Sequence, residues 1–97
     1  MIRRGKMDTR GNSGPKKGIR IAERKLGKHR AVGLAHVEER LIEVDPRQSS
    51  KDYLDTLVHE LLHIIGPSKE WPEETVEKVA NIITVHLWKA GFRRIYD

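Results

Sequence analysis

The chain has 97 residues, of which 37% are hydrophobic and 34% are charged, and its formal net charge is +5 at pH 7. This length supports one small domain with a single modest hydrophobic core. The absence of cysteine excludes disulfide bonds and zinc sites built from thiolates. No apolar run approaches the roughly 20 residues of a membrane-spanning helix, and the N-terminus does not resemble a secretory signal, so we expect a cytoplasmic protein without membrane contact.

The positive charge is concentrated in the first third of the chain. Residues 1–30 contain eleven lysines and arginines against two acidic residues, Asp8 and Glu23. Residues 1–17 have no hydrophobic period and are interrupted by glycines, so we expect a disordered basic arm there and a folded domain over residues 18–97. Such an arm could make weak contacts with nucleic-acid phosphates, although a solvated tail is the simpler interpretation. No aromatic residue interleaves the cations, which argues against base stacking.

The segment that follows the arm has the alternation and the breakers of short β-strands. Ile19 and Ile21 alternate with an arginine, which favours a strand, although a short helix over residues 21–26 competes with it. Gly33 lies inside a second apolar run and marks a close backbone approach or a bulge. A turn at two glutamates separates this run from a third one, which Pro46 ends. We predict two or three antiparallel strands, the later two over Ala31–Val37 and Arg40–Asp45.

The longest apolar pattern predicts a helix from about Asp52 to Ile65. Its apolar residues recur at helical spacing and are Leu54, Leu57, Val58, Leu61, Leu62, Ile64 and Ile65. Either Asp52 or Ser50 can cap its N-terminus, and the Gly66-Pro67 pair ends it.

A second helix is predicted to begin near Pro72, since proline suits the first turn of a helix and two glutamates follow it. Its apolar face is formed by Val76, Val79, Ala80, Ile83, Leu87 and Ala90, and Gly91 should end it. The predicted fold is therefore α+β, with a short antiparallel sheet of two to three strands packed on the first helix and on a second, C-terminal helix.

The first helix carries the motif His-Glu-x-x-His at residues 59–63. Residues four apart lie one above the other on a helix, so His59 and His63 could bind one zinc ion with Zn–N distances of about 2.0–2.1 Å. Glu60 is rotated away from that plane and could hold the water that fills the open coordination position. Zinc lowers the pKa of such a water towards about 7, and Glu60 could take its proton as general base. Solvated or hydrogen-bonded histidines on an amphipathic helix are the alternative interpretation.

A catalytic zinc site generally has three protein ligands, so one is missing. The second helix should fold back on the first, which brings its first two turns near His63. At 100° per residue, Glu73 borders the buried face of the second helix and is our first choice as the third ligand. Glu77 is the alternative, and Asn81 one turn on could support a histidine. Glu74 points nearly to the opposite side.

The remaining histidines are weaker candidates. His86 is about 20 Å along the helix from Glu73 at 1.5 Å per residue, and we interpret it as a histidine at the edge of the core. His36 could border the cleft, although a surface histidine is the simpler interpretation. The spacing of the residues does not identify which one would stabilise the oxyanion of the reaction. The alternatives are Tyr53, Tyr96, His36 and nearby arginines.

The residues around the motif resemble those of small zincin-like metallopeptidases of phages and bacteria. The resemblance rests on residues 56–63, 72–77 and 87–93 and covers roughly residues 33–94. These proteins are similar in plan to minimal gluzincins and, more loosely, to SprT-like proteases. The resemblance implies a short sheet packed on the metal helix, with His59, His63 and a glutamate of the second helix as zinc ligands and Glu60 as catalytic base.

The sequence therefore predicts a zinc-dependent metallopeptidase, a hydrolase that cleaves an amide bond of a peptide or protein substrate. A substrate strand would add itself to the exposed edge of the sheet through backbone hydrogen bonds. The alternative from another class is a small basic DNA-associated protein in which the metal is purely structural. A metal-free interaction module is the third hypothesis.

Overall fold

The computed structural model describes residues 18–95 and has the predicted α+β arrangement of a small sheet and two helices. The strands are β1 (Arg20–Glu23), β2 (Gly33–His36) and β3 (Leu41–Val44), and the helices are α1 (Ser50–Ile64) and α2 (Glu73–Lys89). A single 3-10 turn, Gly27–His29, lies between β1 and β2. The predicted basic arm over residues 1–17 lies outside the described residues.

The three strands form a mixed sheet in the order β1-β3-β2. The strands β2 and β3 pair antiparallel, as predicted, and a tight turn joins them. The strand β1 pairs parallel with β3, so the prediction of a purely antiparallel sheet was wrong for β1. The physical reason is the connection over residues 24–32, which carries the chain from one edge of β3 to the other before β2 begins. The strand interpretation of this region was nonetheless right, and the competing helix over residues 21–26 does not form.

A buried aspartate holds that connection in place. The carboxylate of Asp45 accepts hydrogen bonds from the backbone N–H of Leu26 at 2.8 Å and of Arg47 at 3.0 Å. The Arg47 guanidinium also donates two hydrogen bonds to it, at 2.9 and 2.6 Å. These partners, the guanidinium first, hold the pKa of the Asp45 carboxyl well below its usual range. Leu26 is thereby fixed in the core, where it is fully buried.

The helix α1 begins one residue earlier than its predicted caps allow. Ser49 is the N-cap, and its hydroxyl accepts the backbone N–H of Asp52 at 3.2 Å. Ser50 is the first helical residue, and its hydroxyl accepts the backbone N–H of Arg94 at 2.8 Å instead. At the other end, the Ser68 hydroxyl donates to the carbonyl of Leu62 at 2.7 Å and satisfies one of the carbonyls that a helix end leaves free.

The helix α2 follows Pro72, which is its N-cap. Gly91 ends it as predicted, with a φ of 100° that glycine adopts without the steric cost of a side chain. The N–H of Phe92 donates to the carbonyl of Leu87 at 3.1 Å, and that of Gly91 donates to Trp88 at 3.0 Å. This is the hydrogen-bond pattern of a Schellman motif, which stabilises a helix C-terminus.

The helix α1 is the central element of the domain. Its sheet-facing side packs Tyr53 and Ile64 against Ile42 and Val44. Its other side packs Leu62 against Val76 and Ala80 of α2, in a second buried cluster. The residues that carry the His-Glu-x-x-His motif therefore lie on the helix that contacts both the sheet and α2. Within residues 18–95, no helix has the length and apolar character needed to cross a membrane.

The segment after α2 lies back against the start of α1. The Arg94 guanidinium is 4.1 Å from the centre of the Tyr53 ring and donates to the carboxylate of Glu23. The Tyr53 hydroxyl donates to the same Glu23 carboxylate at 2.7 Å. This hydrogen bond is the largest cause of a lowered pKa at Glu23, and burial is the main cause of the raised pKa of Tyr53. The C-terminal segment is thereby joined to both β1 and α1.

Candidate metal centre

Three side chains predicted as metal ligands converge between α1 and α2. The Nε2 atom of His59 lies 2.8 Å from Oε2 of Glu73, and Nε2 of His63 lies 3.0 Å from Oε1 of Glu73. The two Nε2 atoms are 3.2 Å apart. Each residue thus presents a potential ligand atom to the same point, and within residues 18–95 this is the only such group of three.

The local structure explains this convergence. His59 and His63 are separated by one helical turn of α1, so their rings project from the same side of the helix. Residues 65–72 reverse the chain direction through backbone hydrogen bonds such as Trp71 N–H to the Ser68 carbonyl at 3.0 Å. Glu73 is the first residue of α2 and therefore lies beside the end of α1. The rotational argument from the sequence also placed Glu73, rather than Glu77, nearest to the histidines.

The spacing of these atoms fits a bound cation. Two ligand atoms bound tetrahedrally to one zinc at about 2.0–2.1 Å lie about 3.3 Å apart. The distance between the two Nε2 atoms, 3.2 Å, is close to this value, and the two N–O distances of 2.8 and 3.0 Å are somewhat shorter. Hydrogen bonds from the rings to the Glu73 carboxylate fit the same distances, but they require a proton on both Nε2 atoms. Two Nε2–H groups would then lie side by side, with their nitrogen atoms 3.2 Å apart. A cation avoids that conflict because it accepts three lone pairs at one point.

The candidate ligands are open to solvent on one side. The side chains of His59 and His63 are 17% and 28% exposed, and that of Glu73 is 59% exposed. The two imidazole side chains are therefore mostly sheltered, whereas the carboxylate side chain is more than half exposed. An ion bound here would have room for a water or a substrate oxygen in addition to its three protein ligands.

Glu60 lies beside this group and not within it. Its side chain is partly buried between α1 and the start of β2, and this burial raises the pKa of the Glu60 carboxyl. The neighbouring His59 and His63 oppose the shift, while the charge of Glu73 adds to it. A glutamate with a raised pKa is better suited to accept and release a proton near neutral pH than an exposed one.

A cleft of about 440 Å³ opens next to Glu60, and this volume lies in the range of about 300–1,000 Å³ that small-ligand pockets occupy. Its walls come from β2 and the residue before it, from α1 and from α2. They are formed by Val32, Gly33, Asp55, Thr56, His59, Glu60, Glu77 and Asn81. The alternative third ligand, Glu77, thus lines the cleft and is not part of the histidine group. Asn81 makes no hydrogen bond with a histidine among residues 18–95.

Two of the cleft residues were not identified from the sequence, although their spacing could have revealed them. Asp55 lies four residues before His59, and Thr56 lies four residues before Glu60. Asp55 is therefore on the same side of α1 as His59, and Thr56 is on the same side as Glu60. The Asp55 carboxylate accepts a hydrogen bond from the buried hydroxyl of Thr84 at 3.3 Å. This bond links α1 to α2, and its Asp55 end lies one helical turn from His59.

The other candidate residues lie away from the cleft. His36 is within 2.9 Å of the Glu43 carboxylate, which also accepts two hydrogen bonds from Arg24. Arg24 first and His36 second lower the pKa of Glu43, so this cluster is an ion-pair network on the sheet. His86 is exposed and bonds the carbonyl of Ile82 at 2.7 Å, so the interpretation as a core-edge histidine was wrong.

Among the residues considered for an oxyanion, Tyr53 donates its hydroxyl to Glu23 at 2.7 Å and does not line the cleft. Tyr96 lies outside the described residues.

Comparisons of the chain with known proteins bear on its resemblance to zincin-like peptidases. No family model, no curated protein and no solved structure matches this chain. The resemblance therefore stays a prediction from the motif.

Proposed function

We propose that this protein is a zinc-dependent metallopeptidase whose metal ligands are His59, His63 and Glu73. The observation that carries the proposal is the closeness of these side chains: each Nε2 atom lies 2.8 or 3.0 Å from an oxygen of Glu73, and the two Nε2 atoms lie 3.2 Å apart. Two nitrogen donors and one carboxylate are a donor set that catalytic zinc sites use. The partly buried Glu60 and the adjacent cleft supply the two further features that a hydrolase needs, a base and room for a substrate.

In this proposal the three ligands hold the zinc ion, and Glu60 transfers the proton. A zinc ion held by the three ligands supplies a Lewis acid for the scissile carbonyl and lowers the pKa of water. Glu60 accepts the proton of the attacking water and returns it to the leaving amine, so that the amide bond is cleaved with the elements of water added across it. The shelter of the cleft favours this transfer because burial already raises the affinity of the Glu60 carboxylate for a proton.

Among residues 18–95, no strand pairs with the outer edge of β2, and this edge offers a place for a peptide. The Asp45 N–H donates to the Val32 carbonyl at 2.8 Å, which sets the direction of the alternating backbone groups along this strand. Since these groups alternate in an antiparallel pair, those of Gly33 and Ala35 point away from β3. A substrate in extended conformation can bond to them and thereby lie across the mouth of the cleft.

The test is a comparison of the full-length, untagged protein with its Glu60→Gln variant. We expect the wild type to contain about one equivalent of zinc and to cleave peptides from a proteome-derived mixture, as identified by mass spectrometry. Glu60→Gln should keep the zinc and lose at least about 100-fold in hydrolysis, because an amide cannot take the proton. Glu74→Gln, which removes the same charge from an exposed position on α2, is the matched control and should cleave normally.

Equal cleavage by Glu60→Gln and the wild type would contradict the proposed mechanism. A wild type that contains no zinc and binds none would contradict the metal site itself.

The alternative of a DNA-associated protein with a structural metal rests on the excess of cations in residues 1–30. It predicts a DNA affinity that falls with salt and disappears when the basic arm within residues 1–30 is removed, with no change in zinc content. A full-length protein without DNA affinity at low salt would exclude it. The cytoplasmic location expected from the sequence likewise stays a prediction.

A further inference from the structure

Gly33 lies where β2 comes closest to α1. A Cβ added at Gly33 would lie 2.5 Å from Cγ2 of Thr56, 3.0 Å from Cγ of Glu60 and 3.1 Å from Oε2 of Glu60. Carbon atoms in favourable contact are about 3.5–4.0 Å apart, so a side chain at this position would overlap the Thr56 methyl group strongly and would overlap Glu60 by a few tenths of an ångström. The sequence predicted either a close backbone approach or a bulge at Gly33, and the structure shows the close approach and the residues that make it.

The need for glycine comes from this contact and not from the backbone conformation. Gly33 lies in an ordinary strand, and the only glycine with a positive φ among the described residues is Gly91. Thr56 cannot easily turn its methyl group away, because its hydroxyl donates to the side-chain carbonyl of Gln48 at 2.7 Å. The Gln48 side chain is in turn fixed by a hydrogen bond to the carbonyl of Asp45 at 2.9 Å.

We propose that Gly33 is a positioning residue for Glu60. This inference rests on the proposed function, since it assigns to Gly33 the placement of the catalytic base. The missing side chain lets the Glu60 carboxylate lie against the strand whose outer edge offers Gly33 and Ala35 to a peptide. A side chain at position 33 would push that carboxylate away from the scissile bond. A misplacement of about 1 Å at a reacting group can cost roughly 100-fold in rate.

The experiment compares four variants of the full-length, zinc-loaded protein, one of which, Thr56→Ser alone, is the reference for the double variant. Gly33→Ala introduces both overlaps. Gly33→Ala combined with Thr56→Ser removes the methyl group at 2.5 Å, keeps the hydroxyl for Gln48 and leaves the overlap with Glu60. Gly18→Ala is the matched control, because a Cβ at Gly18 meets nothing within 4 Å.

We expect Gly33→Ala to lower kcat by about 100-fold and the double variant to lower it by about 10-fold relative to Thr56→Ser alone. KM and the zinc affinity, measured by competition with a chromophoric chelator, should change by less than about threefold in the double variant. The folded state is checked by its far-ultraviolet circular dichroism and thermal midpoint. Gly18→Ala should match the wild type in all these measurements.

The outcomes separate this inference from the proposed function. A wild type that cleaves peptides through Glu60, together with an unchanged kcat in the double variant, would overturn the role of Gly33 alone. A double variant that loses kcat, zinc affinity and folded structure together would show that Gly33 serves packing only, and this also overturns it. A wild type without any Glu60-dependent cleavage would reject the proposed function first.

Discussion

Glu73 is the residue on which the candidate metal site can be tested most directly. Each oxygen of its carboxylate faces a different histidine, at 2.8 Å from His59 and 3.0 Å from His63. In the Glu73→Gln variant an NH₂ group replaces one of these oxygens and the negative charge is lost. The amide would therefore present a hydrogen-bond donor where an ion needs a lone pair.

The expected loss can be estimated from binding linkage. Residues that only orient a metal ligand already contribute about 10–100-fold to metal affinity, so a direct ligand should contribute at least about 100-fold. With free zinc at about 100 times the wild-type Kd, binding stabilises the folded wild type by about 2.7 kcal/mol and such a variant by about 0.4 kcal/mol. At about 4–8 °C per kcal/mol for a domain of this size, zinc should raise Tm by about 11–22 °C in the wild type and about 2–3 °C in Glu73→Gln.

The assay is thermal unfolding of untagged protein, with and without zinc at a buffered free concentration. Glu77→Gln is the matched control, since Glu77 lies one turn further along α2 and lines the cleft without joining the histidines. It should keep the wild-type response to zinc. The reasoning is refuted if Glu73→Gln gains as much stability from zinc as the wild type, or if Glu77→Gln loses the response while Glu73→Gln keeps it.

Two further predictions concern the hydrogen-bond networks that support the fold. The lowered pKa of Asp45 means that its stabilising effect is complete above the ordinary value of 3.8 and is lost as the pH falls through the lower folded value. Asp45→Asn should therefore be less stable than the wild type by a constant amount above about pH 5, and the difference in Tm should shrink below about pH 4; a constant difference down to about pH 2 would contradict this. Arg94→Ala should lose about 1–2 kcal/mol of unfolding free energy in urea, because the contacts with Glu23 and Tyr53 disappear, whereas Lys51→Ala should change it by less than about 0.5 kcal/mol.

The helices could be predicted because their signals are local. The apolar spacing and the Gly66-Pro67 and Gly91 breakers place both helices within about two residues of their observed ends. The same geometry, a period of 3.6 residues and a short reversal of the chain, was enough to select Glu73 over Glu77 as the glutamate next to the histidines. The N-cap was predicted one residue too late because neighbouring serines offer the same hydroxyl, and Ser50 uses its own for the Arg94 N–H.

The sheet could not be predicted as well, since its pairing depends on contacts between distant residues. Whether β1 runs parallel or antiparallel to β3 is decided by the connection over residues 24–32, where Leu26 is anchored to Asp45 nineteen residues later in the chain. Neither a leucine nor an aspartate in the sequence indicates that this hydrogen bond will form. The closeness of Gly33 to Glu60 is similar, because a glycine in a strand indicates a close approach without saying to what.

The placement of the three candidate ligands has a consequence for the stability of the domain. His59 and His63 belong to α1, which packs against both the sheet and α2, whereas Glu73 belongs to the first turn of α2. That first turn follows an eight-residue reversal and has no side-chain cap, since Pro72 is its N-cap. An ion bound between them would therefore join the most firmly packed element to a helix start that lacks a cap of its own. In a chain of 97 residues with a small core, part of the binding free energy of the metal would then appear as folding free energy.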